Sequence, residues 1–366
     1  MLNKLTIVLT LRHREDFTLR WMDYMNTIQC GYKILIADGG DDESLQNHLE
    51  NYKNYPNINY DYIKYPYDRS LIDYYKKLCD ITDKVKTPYI MYADNDDFII
   101  LDYIDDWIVF LDNNQDFVSC GGDSATLSVY SKDNKIVNEC YGNNFSIQHN
   151  KNQPFSIEGS TGVERACDFL RHGNLDKIWF IWYDILRTES VKITHKFLNI
   201  YEFKDVVSLE IYNDLSWLML GKSKKFDSIS YIRQTGTSEC SALFDKEFNV
   251  LERFVNINAY NEIIDGLTFI NKDMTANDKK IINKAFSIWL SKLVRRIYFP
   301  SDNKTRLLLN NFYIILNNFM ISKFINRCLY SFRNLISKDK VYFLRIKSIE
   351  NSLSVHYNVK NFKDKL

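Results

Sequence analysis

The chain has 366 residues, of which 45% are hydrophobic and 15% aromatic, and this composition excludes a mainly disordered protein. One large domain or two smaller ones are expected at this length. The 47 acidic and 47 basic residues balance overall, but residues 292–366 hold 15 Lys and Arg against 4 Asp and Glu. The sequence therefore predicts an acidic body with a basic tail, and an acidic body without a recognition motif argues against a nucleic-acid partner.

The seven cysteines are odd in number, scattered and never spaced as C-x-x-C. They form neither a zinc pattern nor a disulfide framework, so we expect a protein of the reducing cytoplasm. No signal peptide is predicted, because residues 1–4 lead directly into a strand-like run. The longest charge-free stretch of the tail, residues 307–322, is too short and too polar to span a bilayer.

Apolar strand-like runs alternate with helical spacings over the first 111 residues. The predicted strands cover residues 5–11, 32–37, 58–65 and 88–93, and helical spacings lie between and after them. This alternation predicts βαβ units with right-handed crossovers and a parallel sheet. The strand ends at Thr10, Asp38 and Asp94 should therefore open on one edge of the sheet, where an acidic site would form.

The next part of the chain is less regular. Further sheet is predicted at 117–130, a long polar loop at 133–153, a short helix at 163–171, a strand at 179–187, a helix at 206–220 and a last strand at 226–233. After about residue 242 no strand pattern recurs, and helical spacings appear at 254–264, 281–297 and 307–336. We therefore predict an α/β domain over residues 1–242 and a helical region over residues 243–366.

Three carboxylates, those of Asp94, Asp96 and Asp97, follow the fourth strand within four positions. Ligands bind α/β sheets outside the carboxyl ends of the strands, and no Lys or Arg lies within three residues of these acids. A hard divalent cation with oxygen ligands would offset their repulsion, and in an enzyme such a cation usually also holds phosphate oxygens. The alternative is a solvated acidic turn, because Asp and Asn favour turns.

Four motifs occur in an order that is typical of one enzyme family. Residues 6–14 read TIVLTLRHR, residues 36–42 read IADGGDD, and residues 87–97 read TPYIMYADNDD. Glu210 lies 11 residues before Gly221. These motifs resemble the opening strand, the second-strand acidic motif, the D-x-D signature and the catalytic acid of family 2 glycosyltransferases with the GT-A fold.

The resemblance covers about residues 4–240, and the segments 183–187 and 221–234 resemble a bacterial subgroup that builds surface glycans. It implies a GT-A fold, a Rossmann-like mixed α/β sheet, with the helical region as a C-terminal appendage. It also implies a metal-dependent, inverting transfer of a sugar from a nucleotide-diphosphate donor to a glycan or a lipid-linked glycan. The donor would be a UDP-sugar by family habit, and the product would enter surface polysaccharide or glycoconjugate synthesis.

The resemblance assigns the donor side of the site to acids that follow two strands. Asp96 and Asp97 would hold Mg²⁺ or Mn²⁺, and Asp94 would meet the ribose or share the metal. Asp38 would accept a hydrogen bond from the base edge, with a strand-end turn as its alternative. The chain has Asp38-Gly-Gly here, where the family usually has Asp-Asp or Asp-Gly followed by Ser.

The remaining assignments concern the nucleotide pocket and the base. Thr10 and Arg12 would line the pocket, and Arg233 could reach the diphosphate, since Arg suits phosphate geometry. A surface arginine and a structural ion pair are the respective alternatives for Arg12 and Arg233. Glu210 would be the general base, although the family usually has Glu-Asp there, and Asp214 is its rival because positions four apart share one helix face.

Two other classes of protein stay open on the sequence alone. A nucleotidyltransferase also builds acidic sites on α/β sheets, but it predicts a Gly-rich phosphate loop after the first strand, and residues 10–17 contain no Gly. A non-catalytic glycan-binding or scaffold relative would tolerate substitution of Glu210. The basic tail predicts either a peripheral contact with the anionic inner face of the cell membrane or helices that pack on the domain or on a second copy.

Overall fold

A computed structural model describes residues 2–149, 155–172, 181–203, 206–236 and 257–298. Its strands are β1 (Leu5–Leu11), β2 (Lys33–Asp38), β3 (Tyr60–Lys64), β4 (Tyr89–Ala93), β5 (Phe98–Ile99), β6 (Phe117–Tyr130), β7 (Asn144–His149), β8 (Ile185–Arg187) and β9 (Lys222–Gln234). Its helices are α1 (Glu15–Thr27), α2 (Glu43–Glu50), α3 (Leu71–Lys84), α4 (Ile104–Asn113), α5 (Gly162–His172), α6 (Thr188–Leu198), α7 (Val206–Leu220), α8 (Ile257–Ile270) and α9 (Ala276–Tyr298).

The described strands form one mixed sheet in the order β3-β2-β1-β4-β8-β6-β9-β5, with β7 paired to β6. The first four strands are parallel, and their order is that of one half of a doubly wound nucleotide-binding sheet. Strand β8 then runs antiparallel to both β4 and β6, and β9 runs parallel to β6. The predicted mixed α/β sheet is confirmed.

The register places three strand ends at one level of the sheet. Leu11 of β1 pairs with Asp38 of β2, and Leu9 pairs with Ala93 of β4. The predicted meeting of these ends on one edge is therefore confirmed, and the turn that follows Ala93 opens beside the end of β1.

The core lies on both faces of the sheet, because alternate residues of a strand point to opposite sides. Ile7 and Leu9 pack in a cluster with residues of α1, α2 and α4, whereas Val8 packs in the cluster that includes residues of α3, α5, α6 and α7. Burial on both faces explains why β1, β2 and β4 are continuous apolar runs rather than alternating ones.

Side-chain caps define two helix starts near the site edge. Helix α2 begins after Asp42, whose carboxylate accepts the N–H of Leu45 at 2.8 Å. Helix α3 begins with a capping box, in which Ser70 accepts the N–H of Asp73 and Asp73 accepts that of Ser70. Each cap stabilises its helix by about 1 kcal/mol, and together they fix the loops that follow β2 and β3.

The structure differs from the sequence prediction in the less regular part of the chain. The polar loop predicted at 133–153 contains β7, because Phe145 and Ile147 alternate with polar residues and pack against the core while β6 supplies the hydrogen bonds. The strand predicted at 179–187 is shorter, since residues 181–184 form a turn before β8 and residues 179–180 lie outside the described ranges. The two-residue strand β5 and the helix α6 were not predicted, and β9 begins at Lys222 rather than at 226.

The predicted helical appendage is described only in part. Helices α8 and α9 occupy the regions of the first two predicted helices, and the third, at 307–336, lies outside the described residues. In the described part of the chain, no helix combines the length and the apolar character needed to cross a membrane.

We expect His195 of α6 to make the protein sensitive to acid. Its side chain is 2% exposed, and Nδ1 lies 3.1 Å from the Thr82 hydroxyl. Burial lowers the pKa of His195 to about 3, whereas an unfolded histidine titrates near 6.5. The stability that neutral His195 contributes is therefore fully present above about pH 6.5 and is lost as the pH falls towards about 3.

The loss between pH 7 and pH 4 should reach about 3 kcal/mol. Urea unfolding across this range measures it, and His195→Leu should flatten the profile. The same substitution at exposed His172 should leave the steep fall in place. A His195→Leu protein with the wild-type pH profile would contradict this assignment.

Candidate functional site

The site is built on residues 94–97, the turn that follows β4, where three carboxylates converge. These four residues are called the acid turn. Asp94, Asp96 and Asp97 each offer a carboxylate oxygen, and these oxygens lie within 4.8 Å of one another. Asp96 and Asp97 are only 8% and 5% exposed. Burial raises the pKa of Asp94 and of Asp97, and the negative charge of Asp96 raises both further. A cation bound here would remove this repulsion.

The turn is held by hydrogen bonds that explain its buried polar residues. Asn95 donates to the carbonyl of His13 at 3.1 Å and to the hydroxyl of Thr18 at 2.9 Å. Asp97 Oδ1 accepts the backbone N–H of Gln234 at 3.0 Å. The acid turn is thus fixed to the start of α1 on one side and to the end of β9 on the other.

Two arginines from distant parts of the chain lie at the acids. Arg14 Nη1 is 2.5 Å from Asp96 Oδ2, and its backbone is left-handed at φ 68° where α1 begins. Burial lowers the pKa of Arg233. The nearby Tyr183 and the carboxylates of Asp97 and Asp94 have the opposite effect, and the pKa of Arg233 lies above its usual value as a result. The sequence showed no cation within three residues of the acids, and the fold brings these arginines to them from distant positions.

Arg20 of α1 also holds the acid turn in place, a role that the sequence does not predict. Its side chain is 2% exposed, and Nη2 donates to the carbonyl of Asp96 at 3.0 Å. Nη1 donates to Gln234 Oε1 at 2.7 Å and to the carbonyl of Cys140 at 2.8 Å. The guanidinium lies against the ring of Phe98, with its carbon 4.7 Å from the ring centroid. This residue ties the acid turn to β9 and to the loop between β6 and β7.

Tyr183 is a further contact that sequence reasoning missed. Its hydroxyl donates to Asp94 Oδ2, and its ring lies 4.5 Å from that of Tyr231, measured between centroids. In the sequence, residues 183–187 stand out only through the family resemblance. A tyrosine in a strand-like aromatic run carries no signal that its hydroxyl meets a carboxylate.

Asp38 lies at the end of β2 and is 2% exposed. Its Oδ1 accepts the N–H of Gly40 at 2.7 Å, and its Oδ2 accepts from the Tyr62 hydroxyl and from Lys64 Nζ. A carboxylate has about four acceptor positions, so a ligand would find about one of them free of these contacts. The position at the sheet edge agrees with the sequence prediction, whereas the role towards a base stays a prediction.

A buried ion pair supports the ends of β1 and β2. Lys77 donates to Asp68 Oδ2 and, at 2.7 Å, to the carbonyl of Leu11. The backbone N–H of Asp68 donates to the carbonyl of Gly39 at 2.9 Å. Both side chains of the pair are 2% exposed. Sequence reasoning missed the pair, because Lys77 lies within a helical pattern that reads as amphipathic.

Thr10 and Arg12 lie on the same edge, where β1 ends. The Arg12 guanidinium lies over the ring of Tyr67, 5.6 Å from its centroid, and its charge lowers the pKa of Asp68 against the larger opposing effect of burial. Thr10 hydrogen-bonds the hydroxyl of Tyr74. Both residues stay predicted pocket residues.

The two candidate bases on α7 have different environments. Glu210 is partly exposed. Burial raises the pKa of Tyr74, and the charges of Asp94 and Glu210 raise it further. Asp214 is 1% exposed, burial raises its pKa well above the usual range, and it accepts the N–H of Ile181. Among the described residues Asp214 Oδ2 has no hydrogen-bond partner. Of these two carboxylates, only that of Glu210 is accessible to solvent.

The donor set fits a hard divalent cation. The acid turn offers three carboxylates with oxygens close enough for one ion, and it offers neither sulfur nor imidazole. Oxygen-only sites of this kind suit Mg²⁺ and Mn²⁺. The residues of the turn could therefore hold either ion.

No family model and no curated protein matches the chain. Glycosyltransferases are among the solved structures that resemble it. S. aureus TarS 1-349 in complex with UDP-GlcNAc has a TM-score of 0.49 at 14% identity, covering 83% of this chain and 77% of that chain. A mannosyltransferase from Pyrobaculum calidifontis, in complex with GDP-Man and Mn²⁺, has a TM-score of 0.41 at 9% identity, covering 87% and 82%.

Proposed function

We propose that this protein is a metal-dependent, inverting glycosyltransferase of family 2 with a nucleotide-diphosphate sugar as donor. The observation that carries the proposal is the buried acid turn, whose three carboxylates lie within 4.8 Å at the carboxyl edge of the sheet. The order of the four sequence motifs supports the same proposal. Buried acids with a nearby arginine and a partly exposed glutamate meet the needs of sugar transfer from a charged leaving group.

Asp96 and Asp97 would hold Mg²⁺ or Mn²⁺, and the bound ion would offset the charge of the departing diphosphate. Arg233 lies beside these acids and would bind diphosphate oxygens, for which the guanidinium fork is suited. Asp94 would meet the ribose or share the ion. Asp38, Thr10 and Arg12 would line the nucleotide pocket from the ends of β1 and β2.

Glu210 would accept the proton of the acceptor hydroxyl as that oxygen attacks the anomeric carbon. Attack from the face opposite the diphosphate gives inversion at this carbon. A carboxylate can serve as the base when partial burial raises its pKa towards working pH. Asp214 is the weaker candidate, because its side chain is 1% exposed and a substrate cannot reach it without opening the core.

The acceptor would be a glycan or a lipid-linked glycan in bacterial surface polysaccharide or glycoconjugate synthesis. The enzyme would act in the cytoplasm, and the basic tail, residues 292–366, would meet the anionic inner face of the membrane. Most of this tail lies outside the described residues. Neither a nucleotidyltransferase nor a non-catalytic scaffold gains support from a specific contact. Residues 10–17 contain no Gly for the phosphate loop of a nucleotidyltransferase. A scaffold has no need of a buried acid cluster.

A thermal-shift screen against UDP, GDP, dTDP and CMP, with and without Mn²⁺, tests the proposal. A ligand that binds only the folded state at 100 times its Kd stabilises it by about 2.7 kcal/mol, so we expect one nucleotide to raise the Tm by several degrees when Mn²⁺ is present. Asp96→Asn should remove this shift. Asp106→Asn, at an exposed acid of α4, is the matched control and should keep it.

The absence of any metal-dependent shift in the wild-type protein would contradict the proposed metal site. A shift that persists in Asp96→Asn would show that the nucleotide binds elsewhere. UDP is the nucleotide that we expect, and a response to a different one would change the donor class but not the reaction.

A further inference from the structure

The hydroxyl of Tyr183 and the carboxylate of Asp94 form a hydrogen bond at the edge of the acid turn. Tyr183 is 5% exposed, donates to Asp94 Oδ2, and packs its ring on Tyr231. Neither the base nor any proposed donor contact uses this hydroxyl. Because it occupies one oxygen of Asp94, it restricts both the rotamer of that side chain and the oxygen that can meet a ligand.

The turn that carries Tyr183 is fixed on both sides by buried charged groups. On one side, Asp214 of α7 accepts the backbone N–H of Ile181. On the other side, Lys225 Nζ lies 2.6 Å from Asp184 Oδ1, and the two side chains are 4% and 2% exposed. The N–H of Asp184 donates to the carbonyl of Ile181 at 2.9 Å. Residues 181–184 are thus held to α7 and to β9.

The carboxylate of Asp184 has room beside β6 because residue 121 is a glycine. Gly121 of β6 lies beside it, and a Cβ at that glycine would be 2.0 Å from Asp184 Oδ1. A buried ion pair is weak evidence for stability, because the desolvation of both charges opposes their attraction. The Asp184–Lys225 ion pair is therefore better explained by the need to hold residues 181–184 in place than by a contribution to core stability.

We propose that Tyr183 is a positioning residue for the metal site: it holds Asp94 through its hydroxyl, while Asp214 and the Asp184–Lys225 pair hold the turn that presents it. This inference rests on the proposed function, because it requires a cation at the acid turn. It also gives Asp214 a role that agrees with its burial. Outer groups that orient metal ligands commonly change metal affinity by 10-fold to 100-fold when they are removed.

A Mn²⁺ titration followed by electron paramagnetic resonance tests the inference without reference to turnover, since only free Mn²⁺ gives the sharp six-line signal. The probe is Mn²⁺ alone, added to the full-length protein. We expect Tyr183→Phe, which keeps the ring on Tyr231, to raise the Kd for Mn²⁺ about 10-fold. In assays of sugar transfer, an excess of Mn²⁺ should restore most of the rate of this variant, because the defect lies in metal binding.

Tyr60→Phe is the matched control. Tyr60 lies on β3, and its buried hydroxyl donates to the carbonyl of Leu49 at 2.7 Å. Removal of this hydroxyl should leave the Kd for Mn²⁺ unchanged. A wild-type Kd in Tyr183→Phe would overturn the inference, and so would an equal loss in Tyr60→Phe. Failure of the wild-type protein to bind Mn²⁺ would instead remove the proposed function, and this inference with it.

Discussion

The replacement of Glu210 with Gln is expected to slow sugar transfer sharply while Mn²⁺ and nucleotide binding continue. A positioned general base contributes about 10²-fold to 10⁴-fold to a rate, and a glutamine of the same shape cannot accept the proton. The kcat should fall by about this factor, and the KM for the donor should change little. A loss of kcat without a loss of donor binding is typical of a group that acts only in the transition state.

Release of the nucleoside diphosphate from the donor, measured with and without the acceptor, provides the rate. Glu189→Gln is the matched control, because Glu189 lies on α6 with its side chain 83% exposed, and its rate should equal that of the wild type. Asp214→Asn decides between the two candidates on α7. If Glu210→Gln keeps the wild-type rate while Asp214→Asn loses it with an unchanged Kd for Mn²⁺, the assignment of the base to Glu210 is wrong.

The replacement of Lys77 with Met is expected to destabilise the protein by about 3–5 kcal/mol, because it leaves the buried carboxylate of Asp68 without its cation. Burial already raises the pKa of Asp68 and lowers that of Lys77, so each group depends on the other to stay charged. The variant also removes the hydrogen bond to the carbonyl of Leu11. Donor binding should therefore weaken even at temperatures where the protein stays folded.

Urea unfolding and Tm measurements check this expectation. Lys4→Met is the matched control, since Lys4 and Asp112 form a pair at 2.7 Å with side chains 43% and 32% exposed, and an exposed pair contributes about 1 kcal/mol or less. The double variant Lys77→Met, Asp68→Leu should recover much of the lost stability, because no buried charge then stays unpaired. A loss at Lys77 as small as that at Lys4 would contradict the role of the buried pair.

The parallel half of the sheet could be predicted because its signal is local. Strands β1, β2 and β4 are buried on both faces, and the sequence shows this directly as continuous apolar runs. Strands β5 and β7 could not be found in the same way. Strand β5 has two residues, and β7 alternates polar residues with Phe145 and Ile147 instead of forming a continuous apolar run. Both strands pair with hydrogen-bonding edges that β9 and β6 present.

The acid turn was also visible in the sequence, since its three carboxylates occupy four neighbouring positions. Its partners were not, because they are distant in the chain. Arg14 is 82 residues from Asp96, and Tyr183 is 89 residues from Asp94. The absence of a nearby cation in the sequence therefore did not mean that the acids lack cations in the folded protein.

The sequence by itself determined the α/β class, the edge on which the strands end and the position of the acids, because each depends on short-range pattern. The tertiary structure alone decided which carboxylate on α7 is accessible to solvent. Glu210 and Asp214 are one helical turn apart and share a face by periodicity. Packing places Asp214 against the turn at 181–184 near Lys225 and leaves Glu210 partly exposed, and no spacing rule contains that contact.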